Sequence, residues 1–240
     1  MTATRVAPRL RPLPALDGGD APTVAAAAAH QVRAPLSSLR LRLETLRERL
    51  PVGPNAHARR EVGAILYEVD RLARILEQVL TWGSATEPRA PAEPVDALGI
   101  AAARVDAWAP LARSRGIRLE LDGIAVTGLE AGGALEQSLD VFLDNALHHS
   151  PGGSEVRVVV DGRGSEIEVR VRDRGPGMTD EEIARAGTPF WRGSSARGHA
   201  GTGLGLTIAA ALLTASGGRL ELSRAEGGGL YAAAVLPAAH

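Results

Sequence analysis

The chain has 240 residues, no cysteine and a formal net charge of −1, and 45% of its residues are hydrophobic. That composition is typical of a soluble globular protein of one or two domains, and it excludes disulfides and thiolate metal sites. It gives no general attraction to nucleic acid or to an anionic membrane, and no run approaches the roughly 18–20 apolar residues of a membrane-spanning helix. We therefore expect a cytoplasmic protein with no nucleic-acid partner and no membrane segment, or the soluble portion of a membrane-associated system.

The first predicted feature is a flexible N-terminal segment, residues 1–21, in which three prolines and a Gly-Gly pair oppose regular structure. Two helices joined by a short turn follow in residues 22–84, because apolar residues recur there at spacings of three and four. The first seam comprises Leu36, Leu39, Leu43, Leu46 and Leu50, and the second comprises Val62, Ile65, Val69, Leu72, Leu76 and Val79. We expect an antiparallel helical hairpin that buries these seams by forming a four-helix bundle in a homodimer.

A second domain, residues 96–240, follows a proline-rich linker at residues 85–95. Its pattern mixes helical periods with short alternating strands. Helices are predicted at 95–114, 135–149 and 204–216 and from about 180, and strands at 117–121, 155–160, 167–171, 219–223 and 230–236. Elements segregated in this way predict the α+β class, with an α/β sandwich whose helices lie on one face of a mixed sheet.

The candidate nucleophile is His30, which opens the sequence His-Gln-Val-Arg-Ala-Pro-Leu in the first helical stretch. A neutral imidazole nitrogen is available at physiological pH because its unperturbed pKa is about 6.5, and it can accept a phosphoryl group. Pro35 removes a helix hydrogen bond and should bend the helix beside His30. A histidine with no chemical role is the alternative, which the residue alone does not exclude.

Two further motifs suit a nucleotide. Asn145 is the candidate metal ligand, since an amide carbonyl oxygen suits Mg²⁺ beside phosphates, although a capping or network asparagine is the alternative. Asp173 follows a predicted strand and opens the sequence Asp-Arg-Gly-Pro-Gly. Its carboxylate can accept a hydrogen bond from the exocyclic amine of adenine, while Gly175 and Gly177 let the chain turn tightly under the base. An ordinary Asp-Gly turn is the alternative here.

The last candidate motifs offer contacts to phosphate. Phe190 and Arg192, with Arg197 in the loop that follows, supply an aromatic anchor and guanidinium groups. The sequence Gly201-Thr202-Gly203-Leu204-Gly205 then enters a helix, where backbone N–H groups attract anions. It is not a Rossmann fingerprint, because it follows a loop rather than a strand, and it lacks the Gly-Lys-Ser/Thr of a Walker loop.

In this order the motifs resemble those of sensor histidine kinases of two-component systems, over nearly the whole chain after about residue 22. The resemblance implies a phosphoacceptor hairpin and an ATP-binding domain of the type shared with Hsp90-type chaperones and MutL-type repair proteins. It implies ATP and Mg²⁺ as ligands, with His149 in the nucleotide-binding set, and autophosphorylation on His30 with Gln31 and Arg33 beside it. It also implies transfer to an aspartate of a response regulator receiver domain, under a signal from a longer protein or a separate sensor subunit.

Three residues depart from the family's pattern. Gln31 replaces the usual acid and cannot act as a base, so we expect slower autophosphorylation than in a Gln31→Glu variant. Ala34 lacks the polar group typical of phosphatase activity, which we expect to be weak, and Val141 stands where a second asparagine is common. The alternative function is therefore a nucleotide-binding dimeric scaffold that regulates a partner without phosphotransfer. A chaperone- or repair-type ATPase and an anti-sigma-type serine kinase fit less well because of the His30 hairpin.

Overall fold

A computed structural model of the chain describes residues 11–12, 36–50, 58, 61–63, 65–66, 69, 91–194 and 202–239. Its contacts divide the chain into two units, one of Asp17–Glu87 and one of Met1–Leu16 with Pro88–His240. Five of the predicted site residues lie outside the described residues, namely His30, Gln31, Arg33, Arg197 and Gly201. What is said of those five therefore stays a prediction from the sequence.

The first unit contains two helical segments at predicted positions. The segment α1 covers residues 36–49, and α2 includes helical residues at 58, 61–63, 65–66 and 69. None of the helices in the described part of the chain is both long and apolar enough to cross a bilayer.

Both predicted apolar seams contain exposed side chains. Val62 and Val69 of the second seam are buried, whereas Ile65 of the same seam is 46% exposed. Leu39 and Leu46 of the first seam are 45% and 47% exposed. Large apolar side chains at this exposure forgo roughly half of the stabilisation that full burial would give, so α1 has an apolar surface that this single chain leaves open to solvent.

The second unit holds most of the regular structure. Its strands are β1 (Arg11–Pro12), β2 (Glu93–Asp96), β3 (Arg118–Gly123), β4 (Thr127–Glu130), β5 (Glu155–Arg163), β6 (Glu166–Arg172), β7 (Arg219–Arg224) and β8 (Leu230–Pro237). Its helices are α3 (Ala97–Ser114), α4 (Ala134–His149), α5 (Asp180–Arg185) and α6 (Gly205–Ala215). Every strand and helix predicted for this domain is present.

The strands form a mixed sheet under a layer of helices. Six strands lie in the order β1-β7-β8-β6-β5-β3, with β3 and β5 parallel and the other pairs antiparallel. The helix α3 packs against β3 and β5, α4 against β6 and β8, and α6 against β7 and β8. This architecture confirms the predicted α+β class and the mixed sheet.

The two faces of the sheet differ in chemistry because side chains alternate along each strand. One face is apolar and joins the core with α4, through Val156, Val158, Val160, Ile167, Val169, Val171, Leu220, Leu222 and Ala234. The other face carries ion pairs, in which Arg219 binds Glu166 and in which both Arg163 and Arg170 bind Glu168. Since Glu168 is only 1% exposed, burial raises its pKa although both arginines lower it.

Carboxylates cap the starts of the helices α3 and α4. Asp96 accepts a hydrogen bond from the N–H of Gly99 at 3.1 Å and so caps α3. The helix α4 begins after Gly133, which offers no side chain, and Glu130 reaches over to accept the N–H of Leu135 at 2.5 Å. Each carboxylate satisfies a backbone donor that has no partner inside its helix and favours the helix dipole.

Three short strands were not predicted. The strands β2 and β4 form a separate antiparallel ribbon, and β2 begins inside the predicted linker. Pro94 and Gly128 oppose strand formation locally. The strand β4 passes close to β6 at Gly128, since a Cβ there would lie 2.5 Å from Cδ1 of Ile167, which would have to move. Within the predicted N-terminal segment, β1 pairs with β7 at the sheet edge. The rest of that segment and linker residues 85–90 lie outside the described residues.

Candidate functional site

One face of α4 brings the candidate metal ligand to both glycine motifs. Val141, Asn145 and His149 are four residues apart, so their side chains share that face. A Cβ added at Gly205 would lie 3.1 Å from Cγ1 of Val141. A Cβ added at Gly175 would lie 3.1 Å from the Cβ of His149. The half-buried Asn145 therefore lies between the two places where the glycine motifs touch α4.

The first glycine turn, residues 173–177, is organised by the carboxylate of Asp173. Its Oδ1 accepts the N–H of Gly175 at 2.8 Å and the N–H of Leu230 at 3.1 Å. The N–H of Asp173 in turn donates to the carbonyl of Leu230 at 3.0 Å. The carboxylate thus joins the end of β6, the turn and the start of β8.

Burial shifts the pKa of this carboxylate. Asp173 is 9% exposed, and this desolvation raises its pKa above the ordinary value although the hydrogen bonds from Gly175 and Leu230 lower it. A buried carboxylate has lost hydrogen bonds to water, so a hydrogen bond from a ligand stabilises it more than it would stabilise a solvated carboxylate. The position therefore suits the recognition of an N–H group.

Three glycines that were not among the predicted site residues close the first glycine turn from the other side. They are Gly227, Gly228 and Gly229, which lie between the predicted strands at 219–223 and 230–236. A Cβ at Gly177 would lie 2.8 Å from the carbonyl oxygen of Gly229, and a Cβ at Gly229 would collide with the carbonyl oxygen of Asp173. Gly229 also has a φ of 97°, which side chains rarely allow. The run of three glycines was the available signal, but their partner is more than fifty residues away in sequence.

The second glycine turn, residues 202–205, leads directly into α6. The N–H of Leu204 donates to Oγ1 of Thr202 at 3.2 Å, and Leu204, the N-cap residue of α6, makes no side-chain hydrogen bond to the helix. Gly203 has a φ of 72°, and a Cβ there would lie 2.6 Å from the carbonyl oxygen of Trp191. The first N–H groups of a helix have no partner inside the helix, so those at the start of α6 can bind an anion such as phosphate.

The Phe-Trp segment, residues 188–194, is held by Trp191 rather than by the side chain of Phe190. Trp191 packs against the hydrophobic core, and the guanidinium of Arg185 lies 5.5 Å from its ring centre. Phe190 is 61% exposed and has a φ of 63°, while its N–H donates to the carbonyl of Gly203 at 3.0 Å. The segment is thereby joined to the second glycine turn, and it carries the exposed side chain of Arg192.

A further carboxylate, missed from the sequence, joins this segment to α5. Glu182 completes a capping box with Thr179, whose N–H donates to its Oε2 at 2.9 Å. Its Oε1 accepts the N–H and the hydroxyl of Ser194 at 2.8 and 2.7 Å. Hydrogen bonds from the N–H of Thr179 and from Ser194 lower the pKa of Glu182. The Thr-x-x-Glu spacing was a local signal from which the cap could have been predicted, but nothing local indicates Ser194.

The donors present suit Mg²⁺ better than a transition metal. Among the described residues no cluster of three or more His, Cys, Asp or Glu side chains offers a metal site. Mg²⁺ needs few protein ligands when it is shared with phosphates, and the amide oxygen of Asn145 is a hard donor of the right kind. Asn145 fits that role.

Two protein families match the chain. One is described as "His Kinase A (phospho-acceptor) domain" and matches residues 23–88. The other is described as "Histidine kinase-, DNA gyrase B-, and HSP90-like ATPase" and matches residues 131–240. The chain belongs to the histidine kinase family. Both halves of the predicted resemblance are thereby confirmed.

Individual sensor proteins align with this chain over most of its length. The sensor protein kinase PmrB of Pseudomonas aeruginosa is 31% identical over 217 residues, which are 88% of this chain and 44% of PmrB. PfeS, a sensor protein of the same organism, is 33% identical over 83% of this chain and 43% of its own length. The chain thus spans less than half the length of these relatives.

Solved structures share the fold. Full-length ShkA in complex with AMPPNP matches 91% of this histidine kinase with a TM-score of 0.74 and 26% identity, over 46% of the ShkA chain. The histidine kinase AdeS of Acinetobacter baumannii matches 88% of it and 98% of AdeS, with a TM-score of 0.61 and 20% identity. The similarity to AdeS, at 20% identity, is evidence for the fold only.

Proposed function

We propose that this chain is the kinase core of a two-component system, which uses ATP and Mg²⁺ to phosphorylate His30 and then passes the phosphoryl group to an aspartate of a response regulator. The observation that carries the proposal is the shared face of α4. There Asn145 lies between Val141, which meets the second glycine turn, and His149, which meets the first. The two family matches support the same reading.

The nucleotide would bind with its base at the first glycine turn and its phosphates at the second. The hydrogen bonds from Gly175 and Leu230 both end on Oδ1 of Asp173, so Oδ2 is the oxygen that would accept the exocyclic amine of adenine. The N-terminus of α6 would receive the phosphates, and Arg192, Arg197 and the glycine at 201 would add contacts there. Mg²⁺, held by Asn145, would neutralise phosphate charge.

The transfer itself needs positioning more than covalent chemistry from the protein. An imidazole nitrogen of His30 forms the N–P bond as the bond from the γ-phosphorus to the bridging oxygen breaks, and ADP leaves with that electron pair. A proton leaves the other ring nitrogen. Gln31 can orient the ring by a hydrogen bond but cannot take this proton, so water accepts it and the reaction is slow. Arg33 would add positive charge near the phosphates.

We also propose that the chain is a homodimer through the helices α1 and α2. The exposed Leu39 and Leu46 lie on the predicted seam, together with Ile65, which is 46% exposed. A second copy would bury them in a four-helix bundle, which would also offer the docking surface for a receiver domain. Light scattering after gel filtration should then give twice the mass of one chain.

Labelling tests the kinase proposal directly. The chain and a His30→Ala variant are incubated with γ-labelled ATP and Mg²⁺, and the label is tested for stability in acid and in alkali. We expect an acid-labile, alkali-stable label that is absent from the variant. His57→Ala, in the same predicted hairpin, is the matched control and should keep the label. ATP binding with no label would favour the dimeric scaffold, and an alkali-labile, acid-stable label would indicate a serine kinase.

A further inference from the structure

The Phe-Trp segment is connected to α5 by more contacts than a helix cap requires. A capping box needs one carboxylate oxygen of Glu182, and Oε2 provides it by accepting the N–H of Thr179. The second oxygen, Oε1, accepts two donors from Ser194. An ionised carboxylate has room for about four such bonds, so one side chain can serve both partners at once.

The backbone beside Ser194 is shaped for this contact. A Cβ at Gly193 would lie 3.3 Å from Oε1 of Glu182, so a glycine there lets the chain pass close to the carboxylate. Gly193 is buried although its neighbours Arg192 and Ser194 are exposed. The close approach at 193 and the double hydrogen bond at 194 are independent observations, and both end on the same oxygen.

The same segment is tied at its other end to the second glycine turn. The N–H of Phe190 donates to the carbonyl of Gly203 at 3.0 Å, and the backbone of Trp191 occupies the space where a Cβ of Gly203 would lie. In addition, Oγ1 of Thr207 in α6 donates to the carbonyl of Gly187 at 3.0 Å. Contacts therefore run from Glu182 through Ser194 and the segment to the start of α6.

We propose that Glu182 is a positioning residue of the nucleotide site, which acts through Ser194 to fix the Phe-Trp segment, and with it Arg192, beside the second glycine turn. The proposal rests on the proposed nucleotide site. It assigns Glu182 two tasks, a cap for α5 and a fixed place for the segment, and these tasks can be separated by substitution.

Three variants separate the two tasks. Glu182→Ala removes both, because the cap and the acceptor of Ser194 are lost. Thr179→Ala removes only the hydroxyl that caps α5 and leaves the carboxylate for Ser194. Glu181→Ala is the matched control, because it removes a neighbouring acid from the same helical turn of a surface helix. Glu182→Gln keeps one acceptor oxygen, which can serve Thr179 or Ser194 but not both.

The first readout is hydrogen exchange of peptides that cover residues 188–194, in the absence of nucleotide. Glu182→Ala should expose the N–H of Ser194 to exchange, Glu182→Gln should do so in part, and Thr179→Ala and Glu181→Ala should not. This readout needs neither nucleotide nor phosphotransfer. Its outcome therefore tests the role of Glu182 independently of the proposed function. Equal exchange in Glu182→Ala and the wild type would overturn the proposal.

The second readout separates nucleotide binding from turnover. In Glu182→Ala the KM for ATP in autophosphorylation should rise roughly threefold to tenfold, the range of one or two hydrogen bonds, with kcat changed much less. Thr179→Ala should leave KM unchanged, and Glu182→Gln should fall between. If Thr179→Ala raised the KM for ATP as much as Glu182→Ala does, Glu182 would act only as a cap for α5, and the proposal would be wrong. If no label forms, the Kd for ATP is measured instead, with the same order expected.

Discussion

Asp173 and Glu182 each use a carboxylate to hold a glycine-containing part of the site, but in opposite surroundings. Asp173 is almost fully buried, and burial raises its pKa against two backbone hydrogen bonds. Glu182 lies at the surface, where hydrogen bonds from Thr179 and Ser194 lower its pKa with little cost of desolvation. The same kind of contact thus has opposite electrostatic consequences. We infer that the Asp173 region is built for a ligand, and that the Glu182 region positions the chain.

The largest effect is expected at the backbone beside Asp173. Gly229→Ala would place a Cβ against the carbonyl oxygen of Asp173 at a φ of 97°. The strain of positive φ and the collision together should cost about 2–5 kcal/mol of unfolding free energy. Gly153→Ala is the matched control, since Gly153 has a φ of 81° and no atom within 4 Å of a Cβ. Urea unfolding should show a loss of only about 1–2 kcal/mol there. Equal losses in the two variants would mean that the contact with Asp173 contributes nothing.

The second largest effect is expected on ATP affinity, in a variant that changes only one of the two carboxylate oxygens of Asp173. Asp173→Asn keeps an oxygen for Gly175 and Leu230 but replaces Oδ2 by an amide that donates, so it should face the adenine amine with the wrong polarity. We expect ATP affinity, measured by calorimetry, to fall roughly tenfold to a hundredfold, as for a lost hydrogen bond of about 1.5–3 kcal/mol to a charged group. Asp173→Ala should lose stability as well, because the N–H groups of the half-buried Gly175 and Leu230 would lose their acceptor. Unchanged affinity in Asp173→Asn would contradict the proposed place of the base.

The sequence predicted the elements that depend on local patterns, and it did not predict those that depend on contacts between distant residues. The periods of α4 and β6 and the motif at Asp173 are local patterns, and the structure has them where they were predicted. The strand β4 has only four residues, one of them Gly128, and it exists because it pairs with β2 and passes close to Ile167. No local propensity indicates such a strand.

The site shows the same limit. Gly229 and Ser194 act on Asp173 and Glu182 across 56 and 12 positions of sequence, respectively. Such contacts are decided by the tertiary fold, which brings the β7–β8 loop and the Phe-Trp segment to these carboxylates. The assignment of Phe190 as the anchor followed from its place in the motif. The structure instead buries part of Trp191, because the backbone of Phe190 turns its side chain outwards with a positive φ.

The smallest effect, and the sharpest test of the comparison, is the pH dependence of stability without nucleotide. The folded pKa of Glu182 lies below its unfolded value, so its stabilisation is present above about pH 4.3 and is lost as pH falls through the folded pKa. The folded pKa of Asp173 lies above its unfolded value, so its contribution to stability is complete at low pH and is lost as pH rises through the folded pKa.

Relative to wild type, Glu182→Gln should therefore become less stable as pH rises from 3 to 7, and Asp173→Asn should become more stable. Melting curves over this range measure both differences, and two differences of the same sign would show that burial does not distinguish the two carboxylates.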